Sequence, residues 1–412
     1  MKRNKLLSKR FYRSLIDVFF TWINEYRAIL KDPGVLVLFL LAPLAYPILY
    51  STIYKNEVVH DVPIAVVDQS ASQMSRKYIR NIDATADVAV THRCISMEEA
   101  IELYKHRKVH GILLIPDSFE KDLNTNLQAT VSAYADMSSF LYYRALMSAT
   151  SYVSNGMGAE IQVGRLMAQD GLTYQQAVAT AAPFTYSSKT LYNPQSGYAS
   201  FLLPAVLIII IYQTLILGIG MRAGTEYERN PMIYFNRING HRQSVFGLLA
   251  GKSLCYLSLY GIMTFYIVAL VPHWFKLPQM GSIGTLILFM LPFLLATIFF
   301  ALTVSSFLYK RENAMVIFLF SSVPLLFLSG VSWPIDAVPE FWKFIGWFFP
   351  STHGIQGYVK INTMGAPLDL VWKEYLNLWL LTGIYFIAAY ITRIIQLRRL
   401  QNHLKLSYTH GM

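Results

Sequence analysis

Leu15, Val18, Phe19, Trp22, Ile23, Tyr26, Ile29 and Leu30 recur at helical spacing, and Arg13, Asp17, Thr21, Asn24, Glu25 and Lys31 occupy much of the other side. The spacing predicts an amphipathic helix ended by Pro33. Its aromatic content and its place just before an apolar run suit the cytoplasmic interface of a membrane. Six mostly apolar segments follow, at 34–54, 198–221, 245–271, 283–309, 314–330 and 376–395. A crossing takes roughly 20 residues, so 314–330 is short.

Between the first two segments the period changes. DVPIAVVD reads as a strand, residues 70–83 as a helix and ADVAVTHR as a second strand. Ser96 and Glu99 form a capping-box pattern that opens a further helix, and GILLIP and ATVSAYAD supply two more strands. Strands alternating with short helices predict a small α/β domain. A long helical pattern over 138–169 and a short one over 173–181 complete it.

The stretch 327–360, FLSGVSWPIDAVPEFWKFIGWFFPSTHGIQGYVK, is too apolar for an ordinary loop and too broken for a spanning helix. Pro334, Pro339 and Pro350 punctuate it, each lacking an N–H and disfavouring helix just before it. Between Pro339 and Pro350, Phe341, Phe344, Ile345 and Phe348 fall at helical spacing, with Asp336, Glu340 and Lys343 on the opposite stripe. This predicts a short helix folded back at the membrane boundary, since irregular backbone at depth must be buried in protein or face water.

Composition agrees: the 412 residues are 54% hydrophobic and 14% charged, the profile of a polytopic membrane protein with a soluble part. The net charge of +11 invites a nucleic-acid reading, but its distribution excludes it. Residues 1–33, 222–243, 310–312 and the tail from 393 hold 18 of the 35 basic residues against 6 of the 24 acids. Residues 55–196 carry 12 basic and 14 acidic residues. That asymmetry is the positive-inside signature. It places both termini in the cytoplasm and the α/β domain outside. The expected organisation is a cytoplasmic N-terminus with its interfacial helix (1–33), a first, uncleaved span (34–54), an extracytoplasmic α/β domain (55–197), a five-span bundle with re-entrant helices at 331–350 (198–396) and a cytoplasmic tail (397–412). Cys94 and Cys255 lie in different environments and are not expected to pair.

Candidate chemistry is sparse. GLLAGKS over 247–253 lacks the first glycine of a phosphate-binding loop, Phe246 standing there, and opens an apolar segment without a preceding strand. Lys252 reads instead as a boundary cation, snorkelling or paired with an acid. His106 and His110 have a metal-ligand spacing on a predicted helix, but Lys105, Arg107 and Lys108 surround them, so a solvated basic helix end is expected and no metal. Ser351, Thr352 and His353 read as a polar turn. Gln213, Thr214, Ser305, Ser306, Ser321 and Ser322 are candidates to line a path, although helix-packing polar residues have the same appearance. The six segments contain no Asp or Glu, and Lys252 is their one clear basic residue before the cytoplasmic end. Ion-coupled carriers usually need ionisable groups or broken helices at mid-membrane, so any energy for transport is expected from a separate ATPase.

The order NEYRAILKDPGVL, VPIAVVDQSASQMSRKYIR, ILLIPDSFEKDL, YNPQ, TEYERNP, LLAGKSLCY and SGVSWPIDAVPEFWKFIGWFFPSTHGIQGYVKINTMGAP resembles a type-2 ABC exporter permease with a large extracytoplasmic domain, over nearly the whole chain. The resemblance implies a dimer with a second permease copy or paralogue, bound to a cytoplasmic ABC ATPase dimer that carries the ATP and Mg. This chain would hold no cofactor and would not be an enzyme by itself. The resemblance also implies a connecting helix over 12–32, with Trp22, Glu25 and Arg27, and a coupling region over 224–239, with Glu226, Glu228 and Arg229, facing the ATPase. Trp333, Pro334, Pro339, Phe341, Phe344, Phe348 and Pro350 would form an outer gate. Two features depart from the family: Arg229 is followed by Asn230 and Pro231 where E-x-E-R-G-T is common, and the gate is unusually aromatic, with Trp333, Trp342 and Trp347. The expected function is outward transport of an amphiphilic or hydrophobic substrate across a bacterial inner membrane. Lipid or glycan export, or a membrane-anchored scaffold whose outer domain binds a protein, is the alternative. A polytopic membrane enzyme would need convergent His, Asp or Cys residues at one depth, which the sequence lacks. The outer domain leaves room for a periplasmic adaptor, membrane lipid is a necessary partner, and no nucleic acid is expected.

Overall fold

The structure is a computed structural model that describes residues 2–184, 187, 189–194, 196–229 and 245–410, without the side chains of 2–15, 229, 397 and 399–410. It divides into two compact units, 1–57 with 190–412, and 58–189.

The first unit opens with α1 (Lys2–Leu30). Asp32 then caps α2 (Pro33–Ile53) by accepting from the Val35 N–H, and Pro33 stands in the first turn, where its missing N–H costs nothing. The helix α8 (Tyr198–Arg229) is the most buried of the long apolar helices. It is followed by α9 (Val245–Trp274), α10 (Ile283–Ser305), α11 (Arg311–Leu328), α12 (Glu340–Trp347), α13 (Pro350–Met364) and α14 (Trp372–His410). Among the described residues, six helices are long and apolar enough to cross a membrane: α2, α8, α9, α10, α11 and α14. That is the make-up of a multi-pass α-helical membrane protein.

α8 is central, packing against α2, α10, α11 and α13. α10 in turn packs against α9, α13 and α14. Glycines set two of these contacts: a Cβ on Gly218 would strike the Phe39 ring, and one on Gly357 the Phe289 ring. α11 leaves Val316, Ile317, Leu319, Phe320 and Val323 exposed on this chain.

The broken stretch resolves into distinct pieces. α11 stops at Leu328, Gly330 takes φ +85, a conformation that only glycine adopts cheaply, and a short 3₁₀ turn spans Ile335–Ala337. α12 then places Lys343 beside Glu340 at 2.8 Å and the Asp336 carbonyl at 3.4 Å, the polar stripe expected from the spacing. Ser351, Thr352 and His353 do not form a polar turn. They are the buried first turn of α13, which Pro350 starts because its fixed φ suits a first helical position, and His353 Nε2 lies 2.9 Å from the Trp347 carbonyl.

The second unit has a four-stranded sheet of order β2-β1-β3-β4, with β1 (Val62–Asp68), β2 (Val88–Cys94) and β3 (Gly111–Ile115) parallel and β4 (Ser132–Ala135) antiparallel. α3 (Gln73–Asp83) and α6 (Phe140–Asp170) cover one face, burying Tyr78, Ile79, Ile82, Leu146 and Val153 against Ile64, Val66 and Leu113. α4 (Met97–Lys105) covers the other, around Ala65, Val67, Ala100 and Ile112. Helices on both faces explain the nearly continuous apolar runs of β1 and β3. α5 (Phe119–Asn124) and α7 (Tyr174–Ala181) complete the unit. α4 ends at Lys105, so His106 and His110 do not share a helix face; His110 stacks on Tyr142 at 4.1 Å instead.

Candidate functional site

The charges expected in the connecting and coupling stretches converge where α1 meets α8 and α9. α1 lies directly on α9 because Gly251 has no side chain: a Cβ there would sit 2.7 Å from the Val18 carbonyl. The glycines of the 247–253 stretch thus serve helix packing inside α9, and no phosphate-binding turn forms there. Beyond the contact, Trp22 Nε1 donates to Ser258 Oγ at 3.3 Å, and the Tyr26 hydroxyl lies 2.8 Å from the same oxygen. The apolar face of α1 is therefore divided. Trp22 and Tyr26 pack on the bundle, whereas Ile16, Phe19, Phe20 and Leu30 stay exposed.

One turn along, Glu25 is buried at 4% exposure and receives three partners. The Tyr256 hydroxyl donates to its Oε1 at 2.6 Å, Arg222 Nε lies 3.4 Å away, and Lys252 Nζ is 3.9 Å from its Oε2. Lys252, at 3% exposure, makes a closer pair with Glu226 Oε2 at 2.5 Å. Arg393 of α14 is buried within electrostatic reach of Glu226. Two carboxylates thus face several basic groups in apolar surroundings, where an isolated charge would be very costly and a paired, hydrogen-bonded one is tolerated.

A second cluster adjoins the first. Asp32 accepts from Arg311 at 3.0 and 3.4 Å and from the Thr225 hydroxyl at 3.1 Å, in addition to its capping bond. Glu228 accepts from the Arg311 backbone N–H at 2.8 Å. Side chains of α1, α2, α8, α9 and α11 are thereby joined through polar bonds at one end of the bundle. Burial opposes ionisation of Asp32, but the Val35 N–H, Arg311 and the Thr225 hydroxyl together hold its carboxyl below the usual aspartate range. A depressed folded value means the stabilisation is present above the unfolded pKa of about 3.9 and is lost as pH falls through the folded value. We expect Asp32→Asn, which keeps the cap, to cost about 1 kcal/mol at neutral pH. Thermal unfolding of the two proteins should differ at pH 7 and converge in strong acid.

The implied coupling residues separate into two sets. Glu25 is buried and Trp22 and Glu226 are half-buried, whereas Arg27 and Glu228 are exposed. The Arg229 side chain and residues 230–239 of the expected coupling region lie outside the described residues. Asp32, Thr225, Arg222, Tyr256 and Arg311 did not stand out in the sequence. Their signal was a tyrosine in an apolar segment and a basic residue at a segment end, both common without such a role.

Two of the candidate path residues, Gln213 and Ser321, share the Phe318 carbonyl as acceptor, and the others bond elsewhere. Gln213 donates to the Phe318 carbonyl, and the Thr214 hydroxyl bonds back to Ile210 at 2.6 Å. Ser305 and Ser306 close α10, Ser306 Oγ reaching Thr392 at 2.9 Å. Ser321 and Ser322 bond back within α11. Each hydroxyl is satisfied by a nearby backbone carbonyl. Of the gate residues, Trp333, Phe341, Phe344 and Phe348 are exposed, with Phe344 and Phe348 edge-to-face at 5.2 Å, while Pro350 is buried at the start of α13. Pro334 and Pro339 flank the 3₁₀ turn and α12.

Residues 33–391 match the family described as ABC-2 family transporter protein. The chain is 23% identical over 97% of its length to ABC transporter G family member 20 of Dictyostelium discoideum, of whose length it spans 53%. It is 21% identical to the probable multidrug ABC transporter permease YbhR of Escherichia coli, covering 89% of this chain and 95% of that one. It is 24% identical to the linearmycin resistance permease protein LnrN of Bacillus subtilis, covering 83% and 90%.

Proposed function

The chain belongs to the ABC-2 transporter family, and we propose from that premise that it is the membrane permease subunit of an exporter driven by ATP hydrolysed on a separate partner. The observation that carries the reading is the buried network of Glu25, Arg222, Glu226 and Lys252, which ties α1 to two apolar helices. A displacement of α1 cannot leave those helices behind without separating charges in an apolar setting. An ATPase dimer that moves α1 would therefore move the bundle, and ATP and Mg would stay with that partner.

In this reading α1 lies along the cytoplasmic face of a bacterial inner membrane, with both termini inside and the α/β unit outside. The basic excess near the helix ends supports that orientation. The exposed apolar face of α11 suits a second permease copy, and α12 and the start of α13 would be re-entrant on the outer side. The names of two relatives, multidrug and linearmycin resistance permeases, favour an amphiphilic or hydrophobic substrate over a lipid or glycan.

Two experiments follow. Arg27→Glu alters an exposed charge, so it should leave the unfolding free energy within about 0.5 kcal/mol of wild type yet reduce stimulation of the partner's ATPase several-fold. Alanine at Phe341, Phe344 and Phe348 should make vesicles containing the complex leak a lipophilic dye when ATP is absent. Wild-type dye retention and transport in that triple variant would exclude an outer gate.

A further inference from the structure

We propose that the α/β unit carries a binding cleft for a small amphiphilic organic cation, formed between α6 and the turn that joins α3 to β2. The cleft encloses about 520 Å³, within the range of small-molecule sites. One wall is the exposed face of α6, where Tyr152, Gly156 and Glu160 follow at four-residue intervals. The other is the α3–β2 turn with Thr85 and Asp87, and the floor is the buried side chains of Val153 and Met157.

Three features point to an occupant of this chemistry. First, the lining contains two carboxylates and no lysine or arginine. Lys77, outside the lining, holds Glu160 at 2.7 Å, which leaves Asp87 as the uncompensated charge. Asp87 is half-buried, and its carboxylate has no hydrogen-bond or ion-pair partner among the described residues. The C-terminal end of α3 also faces the cleft through Asn81 and Ala84, adding the negative end of a helix dipole. Second, Tyr152 is 77% exposed and offers an open ring face at the rim, suited to a cation–π contact. Third, Gly156 is the one glycine of α6 that lines the cleft, and a Cβ added there would meet nothing within 4 Å. At 156 this leaves the wall between Tyr152 and Glu160 open to an occupant. A cation with an apolar body would set its charge near Asp87, its ring or alkyl part on Tyr152, and its apolar edge over Val153 and Met157.

The proposal does not depend on the direction of transport or on the ATPase partner, and the test needs neither. The full chain, held in nanodiscs of neutral phosphatidylcholine, is titrated with ethidium and followed by fluorescence anisotropy. Saturable binding is expected, weakened about tenfold in Asp87→Asn, as for loss of a partly desolvated charge contact, and removed in Gly156→Leu, whose side chain fills the cleft. Gly156→Ala, which adds only a methyl group in open space, should bind within about threefold of wild type. Should the leucine variant fail to fold, Asp87→Asn decides alone. Absence of saturable binding by the wild type, or binding unchanged in Asp87→Asn, would overturn the proposal. Loss in Gly156→Leu with none in Asp87→Asn would show that the cleft holds the aromatic body of the dye without using its charge, and would overturn the cation assignment.

Discussion

Lys252→Met is expected to abolish ATP-driven transport and to destabilise the bundle by about 3–5 kcal/mol, the usual consequence of removing one partner of a buried ion pair. The loss arises because Glu226 and Glu25 would remain in an apolar setting with their charge balance broken. Removing a second charge separates folding from coupling. In Lys252→Met with Glu226→Gln, the 2.5 Å pair is replaced by neutral groups of similar size, and most of the lost stability should return. Transport should not return, because α9 would have lost its ion pairs to α8 and α1, although Glu25 keeps Arg222 and the Tyr256 hydroxyl. Unfolding in detergent and dye transport in vesicles read the two effects independently. Equal recovery of both would reduce the network to a folding element.

Gly224→Ala should have the second largest effect, although it adds one carbon. Its Cβ would lie 2.8 Å from the Arg311 Cα and amide nitrogen and 3.0 Å from the Lys310 carbonyl carbon, all backbone atoms that cannot rotate away. α11 must shift off α8, and the shift opens the Asp32–Arg311 pair and the Glu228 bond to the Arg311 N–H. Overpacking of this kind costs about 1–3 kcal/mol, and valine should cost more. Gly383→Ala on α14, where a Cβ meets nothing within 4 Å, is the control and should be neutral or slightly stabilising. Comparing the three unfolding midpoints checks the account, and a neutral Gly224→Ala would contradict it.

Much of the architecture was legible because apolar length is a strong signal. All six segments read from the hydrophobic pattern coincide with long apolar helices, and their ends move by a few residues. Two ends move further: α14, read to 395, extends to His410, and α8, expected to end at Met221, extends to Arg229. The apolar pattern stops at Met221 because Arg222, Thr225 and Glu226 are polar, yet the helix continues since Glu25, Asp32 and Lys252 supply partners that solvent would otherwise provide. For the same reason the sequence placed no acid inside a span. Partners more than 200 positions apart, such as Tyr256 and Glu25, leave no periodic trace.

The aromatic face of α1 illustrates a subtler limit. Periodicity identified the stripe but not what covers it, and Gly251, which lets α9 approach, read more readily as part of a failed phosphate loop. Lys252 was legible in outline: a lone cation at the end of an apolar segment needs an acid or an escape to water, and here it has the acid. The path hydroxyls were illegible, because a serine that bonds back to its own helix and one that faces a substrate have the same spacing.

The most direct measurement is the ATP hydrolysis rate of the cognate ABC ATPase, purified alone and in complex with this chain in lipid nanodiscs. A permease coupled to its ATPase through this network predicts a stable complex, a several-fold higher rate than the ATPase alone, and a return to the basal rate when Lys252→Met with Glu226→Gln replaces the wild-type chain in an intact complex. No complex, or equal stimulation by that variant and the wild type, would contradict it.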